Sequence, residues 1–584
     1  MTTTNYRWPE GALVYHIYPR SFQDSNNDGI GDLRGVMERL DYLVDMGVTA
    51  IWLSPFYPSP MADFGYDVAD YCNVDPVFGT LDDFKALLHA CADHDIKVMV
   101  DLVPNHTSDE HEWFKKSRST ADYTENPYSD WYIWRDGLRP AGLDADARPL
   151  VPNNWRDALT GGSAWEWDDS RGQYYLHSFD VKQPDLNWSN RSVRTAIKDV
   201  MRFWLDLGVD GFRVDAVYWM AKEPLLSDDA LNPEYVEGED QPYESLKHDN
   251  SRGWPAVYAY LSEMADVLHE EPYQAKPRFM VTEAYPEGHN PVVEYLNFYI
   301  GMDPQVAAPF NFEGLSLPWQ ASPWRKFLRS FHSALDQIDT QCVASYAFGN
   351  HDQSRIASRI GPAAARSAAV LLLTLPGMAF LYYGDELGMH DVTIPADRVQ
   401  DPAAKGDAPR NGRTPQGRDP ERTPMQWSTE SSAGFTATAE PWLPLADDYQ
   451  TYNVVSEMKD PASQLNLYRQ LGQLRKSNAA LRYGDIRIIE TASDAVLAFV
   501  RISEEDTAEP LMTIINFSDS SVECQLSSVQ IDRQLISSVP SETMVESSQA
   551  QNQVADSSQN QQNSAETTLQ IGPHEAALYV VQLV

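Results

Sequence analysis

With 584 residues the chain can bury a large core and divide into more than one domain. Its formal net charge of −40, from 85 acidic against 45 basic residues, argues against nucleic acid and anionic membrane surfaces as partners. The start "MTTTNYRWPEG" lacks a signal-peptide pattern, no apolar run is long enough to span a bilayer, and the scattered Cys72, Cys91, Cys342 and Cys524 show no metal spacing. A cytoplasmic protein is expected.

Taken from the N-terminus, short β-like runs alternate with helical ones. A strand at 13–19 ("LVYHIYP") precedes a helix over 33–47; a strand at 49–55, a helix over 81–95 and a strand at 97–105 follow. This alternation predicts βαβ units and a parallel sheet. Residues 106–176, rich in Trp, Asp, Pro and Gly, carry no strong period and read as a subdomain inserted after the third strand. Alternation resumes with a helix over 193–208 and the strand "DGFRVDAV". Strands at 278–285, 310–313 ("FNFE", the weakest pattern), 342–352 and 377–388 complete eight. The fold class predicted is α/β, a TIM-type (β/α)₈ barrel, built from 1–105 and 177–485 and including a long Pro- and Gly-rich loop region at 389–450. After a helix near 461–477 the pattern turns strand-like. Residues 486–584 are expected to form a C-terminal all-β sandwich domain, with a low-complexity, mobile loop at 541–568.

The strand "DGFRVDAVYW" (210–219) places two opposite charges inside an apolar run. Period-two alternation sends Phe212 and Val214 to one face and Arg213 and Asp215 to the other. Other strand ends add Asp101, Asn105 and His106, then Glu283, then His351 with Asp352. In a (β/α)₈ barrel these all gather at the catalytic face. Several carboxylates, two histidines and an arginine, with no Walker loop, HExxH or nucleophile elbow, fit glycoside hydrolysis. There one carboxylate attacks or stabilises the anomeric carbon and another protonates the leaving oxygen.

The runs "DLVPNHTS", "QPDLNW", "GFRVDAVYW", "VTEAY" and "FGNHDQ" resemble the motifs of glycoside hydrolase family thirteen, the α-amylase superfamily. "PFYPSPMADFGYDVADY" and "RTPMQW" resemble its α-glucosidase and oligo-1,6-glucosidase group. The resemblance implies a retaining double displacement with Asp215 as nucleophile, Glu283 as general acid/base and Asp352 as the third, transition-state-stabilising carboxylate. A retaining pair stands about 5–5.5 Å apart. Arg213 is expected to keep Asp215 ionised, an opposite charge lowering a carboxyl by roughly 1–3 pKa units. The resemblance further implies that His106 and His351 bind sugar hydroxyls, that Asp63 and Tyr66 close the pocket's far end, and that Phe179 packs on the sugar ring. Arg418 is expected to pair with Asp63, with Arg422 as the alternative partner, and Asp101 to be structural. A closed pocket implies exo-cleavage.

"DSNNDGIGD" (24–32) is similar to the first nine positions of a calcium loop. Asp24, Asn26, Asp28 and Asp32 would supply side-chain oxygens and Ile30 its carbonyl, although Gly35 stands where a bidentate Glu closes an EF-hand. The resembling group implies one structural Ca²⁺, with Mg²⁺ the alternative occupant; an Asx-rich turn is the plainer reading. Ala216 follows the nucleophile. In the resembling group Ala or Thr there accompanies α-1,4 cleavage and Val α-1,6, so maltose and short α-glucosides are the expected partners of a monomer or homodimer. The alternatives are an oligo-1,6-glucosidase, or a transglucosylase or isomerase acting on sucrose or maltose.

Overall fold

The computed structural model describes residues 8–583 except 123, 142–143, 145–146, 286–289, 339–341, 407–416, 438, 505–507, 527 and 540–566. Eight parallel strands form the barrel: β1 (Leu13–Ile17), β2 (Ala50–Leu53), β3 (Lys97–Leu102), then, after three strands of the insert, β7 (Gly211–Val214), β8 (Phe279–Thr282), β9 (Ala307–Pro309), β10 (Ser345–Ala347) and β11 (Met378–Tyr382). Their order is β10-β11-β1-β2-β3-β7-β8-β9. Almost every strand residue is buried, as expected of parallel strands covered on both faces, and this is why they read as continuous apolar runs.

Most of these strands are shorter than the apolar runs that announce them, because the last residues leave the ladder. In "DLVPN" the strand stops at Leu102, two residues before Pro104, whose nitrogen has no hydrogen to give. The sixth strand differs from the expectation: it is Ala307–Pro309, three residues before "FNFE". Pro309 ends its pairing with β8, and Glu313 opens a short helix, Glu313–Ser316. The ring closes between β9 and β10 through one bridge, Asn311 to Tyr346.

The helix Arg191–Leu207 shows how the sequence delivers β7. Its buried Val193, Ile197, Val200, Met201, Trp204 and Leu205 recur at helical spacing; the Asn190 side chain caps its start on the Ser192 N–H; Gly208, at φ 112°, ends it in a left-handed turn. The helix expected over 33–47 is two, Leu33–Glu38 and Leu40–Asp45, meeting at Arg39.

Within the insert β4 (Trp134–Arg135), β5 (Trp165–Asp168) and β6 (Gln173–Leu176) form a small antiparallel sheet in the order β4-β6-β5. Ile133, Trp155, Ala164, Trp165, Tyr174 and Leu176 form its own core. Strands of two to four residues are too short to print a period, which is why none was legible. The C-terminal region sets a five-stranded antiparallel sheet, β12 (Asp485–Ile489), β13 (Val496–Ile502), β14 (Leu511–Asn516), β18 (Ala576–Leu583) and β16 (Val529–Ser537), against a pair, β15 (Val522–Leu526) and β17 (Thr567–Ile571). Met512 and Ile514 of the larger sheet share one core with Cys524, Leu526 and Ile571 of the smaller. The low-complexity stretch 541–568 falls outside the described residues except for Thr567 and Thr568, which open β17. Among the described residues no helix is long and apolar enough to cross a membrane.

Candidate active site

The barrel ladder sets where each polar side chain of the mouth stands. Asp101 and Arg213 are direct partners across β3 and β7 and share the inward face. The Leu102 carbonyl accepts the Asp215 N–H at 2.8 Å, and the Val214 carbonyl accepts the Glu283 N–H at 2.8 Å. Each of these two acids is thus the first residue beyond its strand, anchored by the last carbonyl of the strand beside it.

Arg213 is 1% exposed and aims its guanidinium at three acids. Nη1 lies 2.9 Å from Asp101 Oδ1 and 2.5 Å from Asp215 Oδ1; Nη2 lies 2.8 Å from Glu283 Oε1. Asp101, fully buried, also accepts from Trp52 Nε1 and Tyr66 Oη, both at 3.1 Å. Three acids cannot all ionise cheaply around one cation. Burial pushes the Asp215 carboxyl well above its ordinary range; Arg213 pulls it back, and Glu283, Asp101 and Asp352 add to the rise. Asp101 is pushed up to about 6, by burial first. This corrects the expectation that Arg213 leaves Asp215 below its ordinary value, because desolvating a carboxylate in the barrel floor outweighs its share of one guanidinium.

The third carboxylate has the opposite balance. Burial acts to raise Asp352, but Arg418 and Arg422 prevail and hold it below the usual carboxylate range. Arg418 makes several contacts: Nη2 to Asp63 Oδ1 at 2.7 Å and to Asp401 Oδ1 at 2.8 Å, and Nη1 to Asp352 Oδ1 at 3.3 Å. Arg422 takes the other task, reaching Asp352 Oδ1 at 2.9 Å and the His351 carbonyl at 2.7 Å. The Asp63 partner is therefore Arg418.

Both cleft histidines are neutral near pH 7. Burial brings His106 down to about 4, and burial followed by Arg422, Arg213 and Arg418 brings His351 well below the ordinary 6.5. His106 Nε2 stands 3.2 Å from the Tyr66 carbonyl and 3.0 Å from the Gln183 amide nitrogen, and its Nδ1 lies 3.2 Å from Asn105 Nδ2. His351 is stacked between Tyr66 and Tyr18, at centroid separations of 5.2 and 5.7 Å.

These groups line one cavity of about 280 Å³. Asp63, Tyr66, His106, Phe179, Asp215, Glu283, His351, Asp352 and Arg418 all face it; Arg213 lies beneath. Ala216, Trp219, Tyr285, Gln353 and, from the insert, Ala158 and Leu159 complete the lining. Sequence reasoning assigned no site role to Gln183, whose Nε2 stands 3.0 Å from both Asp63 Oδ2 and His106 Nε2, although it opens the quoted "QPDLNW". It also missed Asp401, which sits in a Pro-rich loop without a pattern. Tyr285 was missed as well, although it stands two residues beyond Glu283, on the same face by period-two alternation; nothing marked Ala158 and Leu159.

A sequence model described as the α-amylase catalytic domain matches residues 16–484. The chain belongs to the α-amylase family. An α-glucosidase of Apis mellifera is 39% identical over 513 residues, covering 87% of this chain and 85% of that relative. An oligo-1,6-glucosidase of Parageobacillus thermoglucosidasius is 38% identical over 547 residues, 88% of this chain and 91% of that one. Among solved structures an α-glucosyl transfer enzyme, XgtA, superposes with a TM-score of 0.82 at 35% identity, covering 99% of this chain and 100% of that one.

In this α-amylase family member the loop from Asp24 to Asp32 lies apart from the cleft lining. Asp24 accepts the N–H groups of Asn26, Asn27 and Gly29 at 3.1, 2.6 and 2.8 Å; Asn26 Oδ1 accepts that of Asp28, and Asp28 Oδ1 that of Ile30, each at 2.9 Å. Asp32 caps the helix Leu33–Glu38 through the Gly35 N–H at 2.8 Å. The donors are all oxygen, which suits a hard divalent cation, but the loop is already knit by Asx turns. Among the described residues no three His, Cys, Asp or Glu side chains converge on a metal position.

Proposed function

We propose that the protein is a retaining α-glucosidase that removes single glucosyl units from the non-reducing ends of maltose and other short α-glucosides. One observation carries the reading. Arg213 bridges Asp215 and Glu283 at the floor of a cavity that also presents the Asp63–Arg418 pair. A shared guanidinium keeps the two carboxyl groups as neighbours on one face of the cleft, which supports a retaining pair. The first step consumes Asp215 as carboxylate and Glu283 as carboxylic acid.

In that step the Asp215 carboxylate attacks the anomeric carbon while Glu283 gives its proton to the departing glycosidic oxygen, leaving a glucosyl ester on Asp215. In the second, Glu283 takes a proton from water, the oxygen attacks the same carbon, and Asp215 leaves as carboxylate with α-glucose released. Asp352, fixed by Arg418 and Arg422, and His106, His351 and Phe179 bind the sugar; Asp63 with Arg418 and Tyr66 supports a closed non-reducing end. Ala216 supports an α-1,4 preference. Rapid NMR of the anomers formed from maltose tests the stereochemistry, with α-glucose expected first and β-glucose contradicting the mechanism. Asp215→Asn should keep the fold and lose turnover.

The likeness to an α-glucosyl transfer enzyme supports a second reading, in which a hydroxyl other than water takes the glucose. Product analysis with maltose, isomaltose and sucrose separates transfer, α-1,6 cleavage and isomerisation from plain hydrolysis. We further propose that Asp24, Asn26, Asp28, the Ile30 carbonyl and Asp32 hold one Ca²⁺, or Mg²⁺, in a structural role. A melting temperature unmoved by EDTA and by added Ca²⁺ would count against it. All four cysteines are unpaired, which supports a cytoplasmic enzyme. It would act there as a monomer or homodimer; cell fractionation and light scattering test both statements.

A further inference from the structure

At the end of β7 the backbone turns in a way few residues with a Cβ adopt. Asp215 still bonds to β3, but Ala216 sits at φ 47° and ψ 39°, in the left-handed region, before the 3₁₀ turn Val217–Met220. The turn takes the Ala216 N–H out of the ladder. That N–H donates instead to Glu283 Oε2 at 2.9 Å, while Arg213 Nη2 holds Oε1 at 2.8 Å. Each oxygen of the Glu283 carboxyl thus has one fixed donor, and one of the two is main chain.

We propose that Ala216 is a positioning residue for Glu283, acting through its backbone N–H, and that the left-handed turn aims that donor. The inference rests on the reading of Glu283 as the acid/base. An N–H given to a carboxylate favours the charged form. The Ala216 amide therefore eases departure of the Glu283 proton toward the leaving oxygen and keeps the carboxylate oriented while it takes a proton from water. Among the described residues, the other charged or titratable groups acting on Glu283 or sharing its cavity include Arg213 from β7, Asp215 beyond it, Asp101 from β3, Asp352 beyond β10, and the Tyr285 hydroxyl. None of them is altered by a change confined to the 215–216 peptide.

The test is an amide-to-ester exchange at that peptide, with lactic acid installed in place of Ala216, which keeps the methyl group and removes the donor. The alkaline limb of kcat/KM for maltose is expected to move up by about one pH unit, the rate falling about tenfold. An activated aryl α-glucoside, whose leaving group needs less protonation, should lose less. Ala216→Gly retains the N–H and should keep the limb in place. If the ester chain does not fold, Ala216→Pro carries the test, because proline has no backbone N–H to give. An unmoved limb in the folded ester, or in Ala216→Pro in its place, overturns the proposal. Glu283→Gln separates the two readings. If it keeps full turnover of maltose, the acid/base reading fails; if it is inactive while the limb stays unmoved, only the role of Ala216 fails.

Discussion

Glu457→Gln should stabilise the protein, and by an amount that grows with pH. Glu457 ends the short helix Val454–Glu457, is 7% exposed, and is no part of the cleft lining. Its Oε2 accepts the Leu465 N–H at 3.0 Å, and its Oε1 is buried without a hydrogen-bond partner. Burial pushes its carboxyl from the ordinary 4.5 to about 8; the Leu465 N–H opposes, Glu386 and Asp460 add to the rise, and Arg366 opposes. A raised carboxyl contributes its stability in full below pH 4.5 and loses it as pH rises through about 8. Across that window the wild type forfeits on the order of 5 kcal/mol that the glutamine, unable to ionise, retains. With an unfolding entropy of about 2.1 cal/mol/K per residue over the barrel, this corresponds to roughly 5 °C in Tm. Calorimetry of both proteins from pH 4.5 to 9 measures the difference. It should be smallest at pH 4.5, widen to about pH 8 and then level off. A difference that is constant, or that narrows as pH rises, would refute the reasoning.

Arg213→Gln leaves Asp101, Asp215 and Glu283 without their common cation, and breaking such a buried pair costs about 3–5 kcal/mol. Since Arg213 favours the charged form of Asp215, its loss should cut kcat by at least about a thousandfold and move the acid limb of kcat/KM to higher pH; an unshifted limb in a folded variant speaks against the assigned role. Arg418→Lys replaces a forked cation touching Asp63, Asp401 and Asp352 by a point charge. KM for maltose should rise about tenfold with kcat changed less, as for lost uniform binding, and unchanged KM would mean that the Asp63–Arg418 pair does not bound the sugar site.

The barrel was legible because parallel strands buried on both faces leave continuous apolar runs, and the mouth because Asp101, Arg213, Asp215, Glu283 and Asp352 interrupt or end those runs. The sixth strand was placed late because Phe310 and Phe312 look more strand-like than Ala307, Ala308 and Pro309, yet it is the small residues that pair with β8. Asp401 and Leu159 were invisible for another reason: their roles come from tertiary placement of loops that carry no period. The charge balance at Asp215 was misjudged because one neighbour in sequence, Arg213, can be read from spacing, whereas the extent of burial and the strength with which Glu283, Asp101 and Asp352 act on it cannot.

The bond between Arg418 and Asp63 joins residues 355 positions apart. Seen from the ribosome, the cleft is therefore finished late. When Glu283 has emerged, the chain already holds the proposed nucleophile and acid/base, but neither arginine that restrains Asp352 and Asp63 has been made. A chain ending before residue 418 lacks both the Arg418–Asp63 pair and the two arginine contacts to Asp352, so the order of synthesis makes these restraints among the last parts of the cleft to be supplied.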